Sequence, residues 1–261
     1  MGESAATRRF GDAEVTILDH GRLLAREDEV PEAIRGWRWL QRRHDGSVVW
    51  PMKGVVVRTR DALVVVDPGG PVEGSARFER GRGLDALQVA RDEVTHVVIT
   101  HGHADHFVGV LQGDTRELRF PEAEHVFPRR DSPLHPVLEP VAEVGRLRLV
   151  DGDASVCEGV DVLSAPGETP GHQVVRVRAG SGSFYFLGDL VHVADEIDHI
   201  EWLSFPDELD GDVLPVSRER VFADQGDVPA TFVFAHGPHP GWGRIQRAGD
   251  GWQWRPDETT A

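Results

Sequence analysis

The chain has 261 residues, with 44 acidic against 28 basic side chains and a formal charge of −16. That length suits one large domain or two small ones and can bury a core without staples, and the single cysteine, Cys157, excludes both a disulfide framework and a thiolate metal cluster. An acidic surface repels nucleic-acid backbones, no apolar run reaches membrane-spanning length, and the opening residues lack the apolar core of a signal peptide; a soluble cytoplasmic protein without nucleic-acid or membrane partners is expected.

In chain order, residues 1–12 read as a loose extension and 15–18 as an opening strand. Residues 26–50, rich in charge and carrying Trp37, Trp39 and Trp50, read as a loop or short helix. Residues 54–59 and 62–66 flank a charged turn at Arg60 and Asp61 and predict a hairpin, whose second strand stops at Asp67-Pro68-Gly69-Gly70. Residues 83–91 have helical spacing, with Leu84, Leu87 and Ala90 on one side. The apolar run 94–99 predicts a buried strand and 107–111 a helix. Strands follow at 160–163, 173–177, 183–187 and 231–234, with a helix at 215–223 capped by Ser217 and a terminal hairpin turning at 249–251. No repeat or linker interrupts the order, so residues 1–261 read as one domain of mixed α and β class.

Between the strand at 94–99 and the helix at 107–111 stands His101-Gly102-His103-Ala104-Asp105-His106. Neutral imidazole and carboxylate are the donors that zinc and its neighbours prefer. In extended chain His101 and His103 point to the same side and can share one ion, while Asp105 and His106, where the chain turns into helix, can aim at a second. Three later strand boundaries carry further candidates: His172, Asp189 and His236. Each alone is an ordinary turn residue; together with the first motif they converge where loops form a site rim.

This order of donors resembles the metallo-β-lactamase superfamily, and Asp67 resembles that family's structural aspartate. The resemblance runs from about residue 13 to the C-terminus. It implies an αββα sandwich of two mixed β-sheets flanked by helices, with His101, His103 and His172 on one metal, Asp105, His106 and His236 on the other, and Asp189 bridging. It implies two divalent ions, zinc before iron, cobalt or manganese, with Asp67 orienting a ligand imidazole. Dimers are common among relatives, so a homodimer is compatible with it.

The segments Gly188-Asp189-Leu190-Val191-His192 and Ala235-His236-Gly237-Pro238-His239 resemble the branch that contains methyl parathion hydrolase and the quorum-quenching lactonases. That implies a small-molecule substrate with a lactone, ester or phosphotriester bond. Two ions about 3.5–4 Å apart can share a water and lower its pKa to near neutrality; Asp189 would fix their separation, Asp105 could accept the proton, and His192 could donate to the substrate oxygen. Asp105, Asp189 and His192 are therefore the expected catalytic groups, and Phe107, His239 and Trp242 the candidates for the substrate pocket. Two positions depart from the family: many lactonases place tyrosine where this chain has His192, and Glu168 stands where histidine is frequent, at a position not expected to bind metal. The competing readings are a thioesterase of the glyoxalase II type, for which no basic cluster is visible, a β-lactamase, a mononuclear iron sulfur-oxygenating enzyme, and a non-catalytic binding protein, against which the full donor set argues.

Overall fold

The computed structural model describes residues 7–70, 77–86, 89–180, 182–228 and 230–257. Eight strands form the first sheet: β1 (Thr7–Phe10), β2 (Ala13–Ala25), β3 (Val48–Arg58), β4 (Leu63–Val66), β5 (Phe78–Arg80), β6 (His96–Val98), β7 (Glu124–Pro128) and β8 (Leu147–Val150). Their order is β1-β2-β3-β4-β6-β7-β8, with β5 added on β2. The second sheet is built from β9 (Ala154–Cys157), β10 (Val160–Ser164), β11 (Gln173–Ala179), β12 (Gly182–Phe186), β13 (Ala230–Val233), β14 (Gly243–Ala248) and β15 (Gly251–Pro256), in the order β15-β14-β13-β12-β11-β10-β9. Both sheets are mixed: β4, β6, β7 and β8 run parallel, as do β12 and β13, and the remaining pairs are antiparallel.

The layering follows from side-chain alternation in strands buried on both faces. In β4, Val64 and Val66 join the core between the sheets, while Leu63 and Val65 join a second core on the outer face. In β12, Phe184 and Phe186 point between the sheets and Tyr185 points outward. The outer cores are closed by helices: α1 (Ala104–Phe107) and α2 (Glu139–Glu143) over the first sheet, α3 (Asp195–Asp198) and α4 (Leu214–Ala223) over the second. This is the expected αββα sandwich; the helix expected at 107–111 is a 3-10 turn, Val108–Val110, following α1, while α4 covers the whole of 215–223. No helix among the described residues is long and apolar enough to cross a membrane.

Several local expectations are corrected. Residues 7–10, assigned to a loose extension, form β1 on the edge of the first sheet, while residues 1–6 lie outside the described residues. The helix expected at 83–91 is a single 3-10 turn, Gly83–Ala86, followed after the undescribed residues 87–88 by another at Arg91–Glu93. Helix α4 starts at Leu214 with Pro215 in its first turn, so Ser217 lies inside it; its hydroxyl donates to the Pro166 carbonyl at 2.6 Å and caps nothing. Strands β5, β7, β8 and β9 are absent from the sequence reading, because segments of three to five residues carry little periodicity.

Lys53, the chain's one lysine, is buried in β3, where its ammonium donates to the carbonyls of Pro238 (2.9 Å) and Pro240 (3.4 Å) in the loop that follows β13. Burial, only partly offset by Asp19, pushes its pKa down from 10.5 to about 7. The unfolded chain therefore binds the proton more tightly, and the native state gains stability as pH rises from about 7 towards 10.5 and loses it on the way down. Between pH 7 and 9, wild-type unfolding free energy should rise against that of Lys53→Met by about 1.4 kcal/mol per pH unit at the steepest. Denaturant titrations with parallel pH profiles for the two proteins would refute this.

Candidate metal centre

The parallel strands β4 and β6 end side by side, with Val66 paired to Val98, and the chain leaves them as Asp67 and as Ile99-Thr100-His101. Asp67 adopts a left-handed backbone (φ 47°) and is buried. Its carboxylate accepts the Thr100 amide and hydroxyl, both at 2.8 Å, and faces His106 Nδ1 at 2.7 Å. A carboxylate only accepts, so His106 donates from Nδ1 and aims Nε2 inward, as the atom left to bind an ion once its proton is displaced. The Thr100 hydroxyl, having donated to Asp67, accepts from His101 Nδ1 at 3.1 Å and orients that ring the same way. Close approach of the 3-10 turn after α1 (Val108–Val110) to the loop beyond β4 requires glycine at 109, where a Cβ would lie 2.2 Å from the Gly69 carbonyl oxygen.

Two other histidines obey the same rule. His172 Nδ1 faces the Ala165 carbonyl at 3.1 Å and His236 Nδ1 the Pro51 carbonyl at 2.7 Å, so both offer Nε2 to the interior. Asp189, one residue beyond the Gly188 turn (φ 55°) after β12, brings Oδ2 to 3.1 Å from His236, 3.3 Å from His106, 3.5 Å from His192 and 3.7 Å from His101. His101 Nε2 and His103 Nδ1 are 2.9 Å apart, and Asp105 Oδ2 lies 3.5 Å from His106 Nε2 and 3.7 Å from His236 Nε2.

Three groups thus have all their donor atoms within 4.8 Å of one another: His101, His103, Glu168 and Asp189; Asp105, His106 and His236; Asp189, His192 and His236. Six of the seven residues expected to bind metal fall in these groups. His172 lies beside them, its ring 5.1 Å from that of His101 and its Nε2 accepting the Asp189 amide at 3.1 Å. Glu168, set aside by the sequence reading, is brought in.

The donor set fits divalent ions. His106 Nε2, Asp189 Oδ1 and Glu168 Oε2 are buried without a hydrogen-bond partner, a cost of about 1–3 kcal/mol each unless something cationic satisfies them. Burial, helped by the His106 charge, holds His101 well below its ordinary value and keeps its Nε2 lone pair available. Burial would favour a neutral Asp189, but His236 and His106 outweigh it and keep the carboxylate ionised. Burial also opposes a charge on His192, yet Glu168, Asp189 and Glu196 raise its pKa to about 9.

Two carboxylates outside these groups, the half-buried Asp131 and the buried Glu196, hold the loops that carry them. Asp131 accepts from the Gly102 amide (2.8 Å), the Thr169 hydroxyl (2.7 Å) and the Gly171 amide (2.6 Å), tying the first histidine loop to the turn before His172. Glu196 accepts the His192 amide at 2.7 Å and the Ser204 amide at 2.9 Å, and pairs with the fully buried Arg218 at 3.0 Å. Ser204 Oγ in turn meets His192 Nδ1 at 3.0 Å. Neither residue carried a sequence signal, because Asp131's partners are 29 to 40 positions away and Glu196's charge partner, Arg218, is on a separate helix.

The pocket candidates separate. Phe107, expected on the pocket, is fully buried in the outer core of the first sheet with its ring 5.0 Å from that of His135; the short helix turns it away from its neighbour His106. Trp242 packs edge-on to Phe184 and also lines a narrow cleft beside His192 and His236, together with Trp50 and Trp39. His239 lies half-buried in the loop after β13 and is not part of that cleft's wall.

A sequence profile of the metallo-beta-lactamase superfamily matches residues 54–236. No characterised protein sequence matches. Among solved structures, a hydrolase named AbOPH of the beta lactamase superfamily superposes with a TM-score of 0.81 at 20% identity over 100% of both chains. AidC, a dizinc quorum-quenching lactonase solved with a product N-hexnoyl-L-homoserine, gives 0.77 at 21% over 99% of both. A probable metal-dependent hydrolase from Staphylococcus aureus gives 0.74 at 16%, over 97% of this chain and 100% of the other. At these identities the likeness is one of fold.

Asp67→Ala removes the acceptor behind His106 and, through Thr100, the one behind His101. It should lower metal affinity about 10–100-fold, measured by competition with a chromophoric chelator. Unchanged affinity would show that the two rings are oriented without it.

Proposed function

From the chain's membership of the metallo-β-lactamase superfamily, shown by the match over residues 54–236, we propose that this metal-dependent hydrolase is dinuclear and cleaves a lactone, ester or phosphotriester bond in a small, fairly apolar molecule. The observation that carries the reading is the place of Asp189 Oδ2, within 3.7 Å of His101 on one side and of His106 and His236 on the other. One carboxylate oxygen facing both halves of a donor cluster suits a ligand shared by two ions. In this reading His101, His103 and His172 serve one ion, and Asp105, His106 and His236 the other. Zinc is favoured by the imidazole-rich donor set and by its presence in the dizinc structural neighbour.

When bound, such ions acidify a water and polarise the carbonyl or phosphoryl oxygen under attack. The chain's own groups do the rest. Asp105, the most exposed carboxylate of the cluster at 20%, is placed to take the proton released by that water. His192 Nε2 faces two carboxylates, Asp189 at 3.5 Å and Glu168 at 3.6 Å; since carboxylates only accept, it carries a proton and can donate to a substrate oxygen entering there. The His192 ring stacks parallel to His236 (5.7 Å, 7°) beside Trp50 and Phe205, so an acyl or aryl substituent leaving the reacting centre meets an apolar wall.

The zinc-reconstituted protein should hold two ions per chain, lose activity on chelation and regain it with zinc. A panel of acyl-homoserine lactones, other lactones, aryl esters, paraoxon-type triesters, thioesters and β-lactams should show turnover in the first four classes. Full metal loading with no turnover there would overturn the assignment. His192→Ala should keep both ions and lower kcat by about 10²–10³, the usual cost of removing one donor to the developing charge. Unchanged kcat/KM would take His192 out of the mechanism.

A further inference from the structure

Resting on the metal-binding reading above, we propose that Glu168 is a further protein donor to the ion held by His101 and His103, so that the turn 168–172 presents a donor at each end.

Glu168 Oε1 lies 3.2 Å from His103 Nδ1, which is itself 2.9 Å from His101 Nε2. Donors bound to one ion at about 2.0–2.2 Å in tetrahedral array sit roughly 3.3–3.6 Å apart, and all four donor atoms of His101, His103, Glu168 and Asp189 lie within 4.8 Å of one another. The second oxygen, Oε2, is buried with no hydrogen-bond partner, and the side chain is only 5% exposed. Its ion-pair partners among the described residues are His103 and His192 alone, with no Arg or Lys beside it. A buried carboxylate is retained when it is paired or coordinates a cation, and the nearest place for one is between His103 and His101.

The backbone is built to hold it there. Gly167 (φ 132°) starts the turn, and its amide donates to the Thr169 carbonyl at 3.1 Å. Asp131 then fastens Thr169 and Gly171 to Gly102, between the two histidines in question. Glu168 and His103 are thus brought together by a shared anchor, although 65 positions separate them. A third carboxylate in the centre, besides Asp105 and Asp189, also hardens the donor set and should move ion preference towards manganese or iron relative to an all-imidazole half-site.

The test compares wild type with Glu168→Gln, which keeps the shape and removes the charge, and Glu168→His, which restores a donor. The readouts are zinc stoichiometry, affinity by chelator competition, and the visible absorption of the cobalt-substituted proteins. Glu168→Gln should bind one of its two ions about 10–100-fold more weakly and alter the cobalt bands of one site, while Glu168→His should hold two ions. Two ions at wild-type affinity with unchanged cobalt bands in Glu168→Gln would overturn the proposal and leave the dinuclear reading intact. Should Glu168→Gln not fold, Glu168→His decides: wild-type affinity and cobalt bands shifted at one site support the proposal, and unshifted bands overturn it. Wild-type protein that takes up no ion would overturn both.

Discussion

The carboxylate of Asp67 is the constraint on which the centre depends. Two parallel strands must end at the same level, the following loop must turn sharply, and the imidazoles of that loop must present one chosen nitrogen. Asp67 meets all three conditions from one position. Its amide donates to the Val98 carbonyl, extending the ladder between β4 and β6 by one bond; its own carbonyl faces the buried His20 ring at 2.9 Å; and its side chain holds Thr100 and His106. The left-handed backbone that makes this geometry available is costly for a residue with a Cβ. A histidine can bind an ion only through a nitrogen without a proton, so the acceptors behind His101, His106, His172 and His236 matter as much as the rings in front of them.

The second sheet contributes by different means. His172, Asp189 and His236 come from the boundaries of β11, β12 and β13, neighbouring strands whose shared edge faces the loop from the first sheet. The junction between sheets is stitched by side-chain acceptors on backbone amides, because irregular loops must satisfy their polar groups without a ladder. Asp131 does this on one side of the centre. On the other, the buried Arg218 guanidinium donates to the Leu190 and Ile200 carbonyls and pairs with Glu196, which fixes the loop bearing His192. Burial opposes ionisation of Glu196, and the adjacent Arg218 with His192 restores it. A pair of this kind adds little net stability, since desolvation offsets the attraction, but losing one partner leaves the other stranded. Its contribution is to the place of His192.

The centre is thus charged in a way that asks for cations. Carboxylates from three separate segments, Asp105 in α1 and Glu168 and Asp189 in loops, meet five imidazoles, and among the described residues their ion-pair partners are all histidines. Around this polar floor the cleft is apolar, with Trp50 5.2 Å from the His236 ring and 5.5 Å from Phe205. Polar floor and aromatic wall together suit a molecule with one reactive polar bond and an apolar substituent.

Sequence alone determined what is local. The run from His101 to His106 announces its chemistry because four donors within six positions have little structural use otherwise, and the strands beside His172, Asp189 and His236 are legible from apolar runs bounded by glycine. The αββα sandwich followed from the resemblance those residues carry. Tertiary structure decided what depends on which faces meet. Helical spacing at 83–91 is overridden by a 3-10 turn, Phe107 packs into a core that its proximity to His106 does not reveal, and Ser217 sits inside its helix because the helix already begins at Leu214. Glu168 was set aside as a residue of a turn, and only the anchor at Asp131 shows that the turn presses it against His103. Spacing along the chain encodes donors that share one loop; donors that meet from different loops are encoded by packing, which has no local signature.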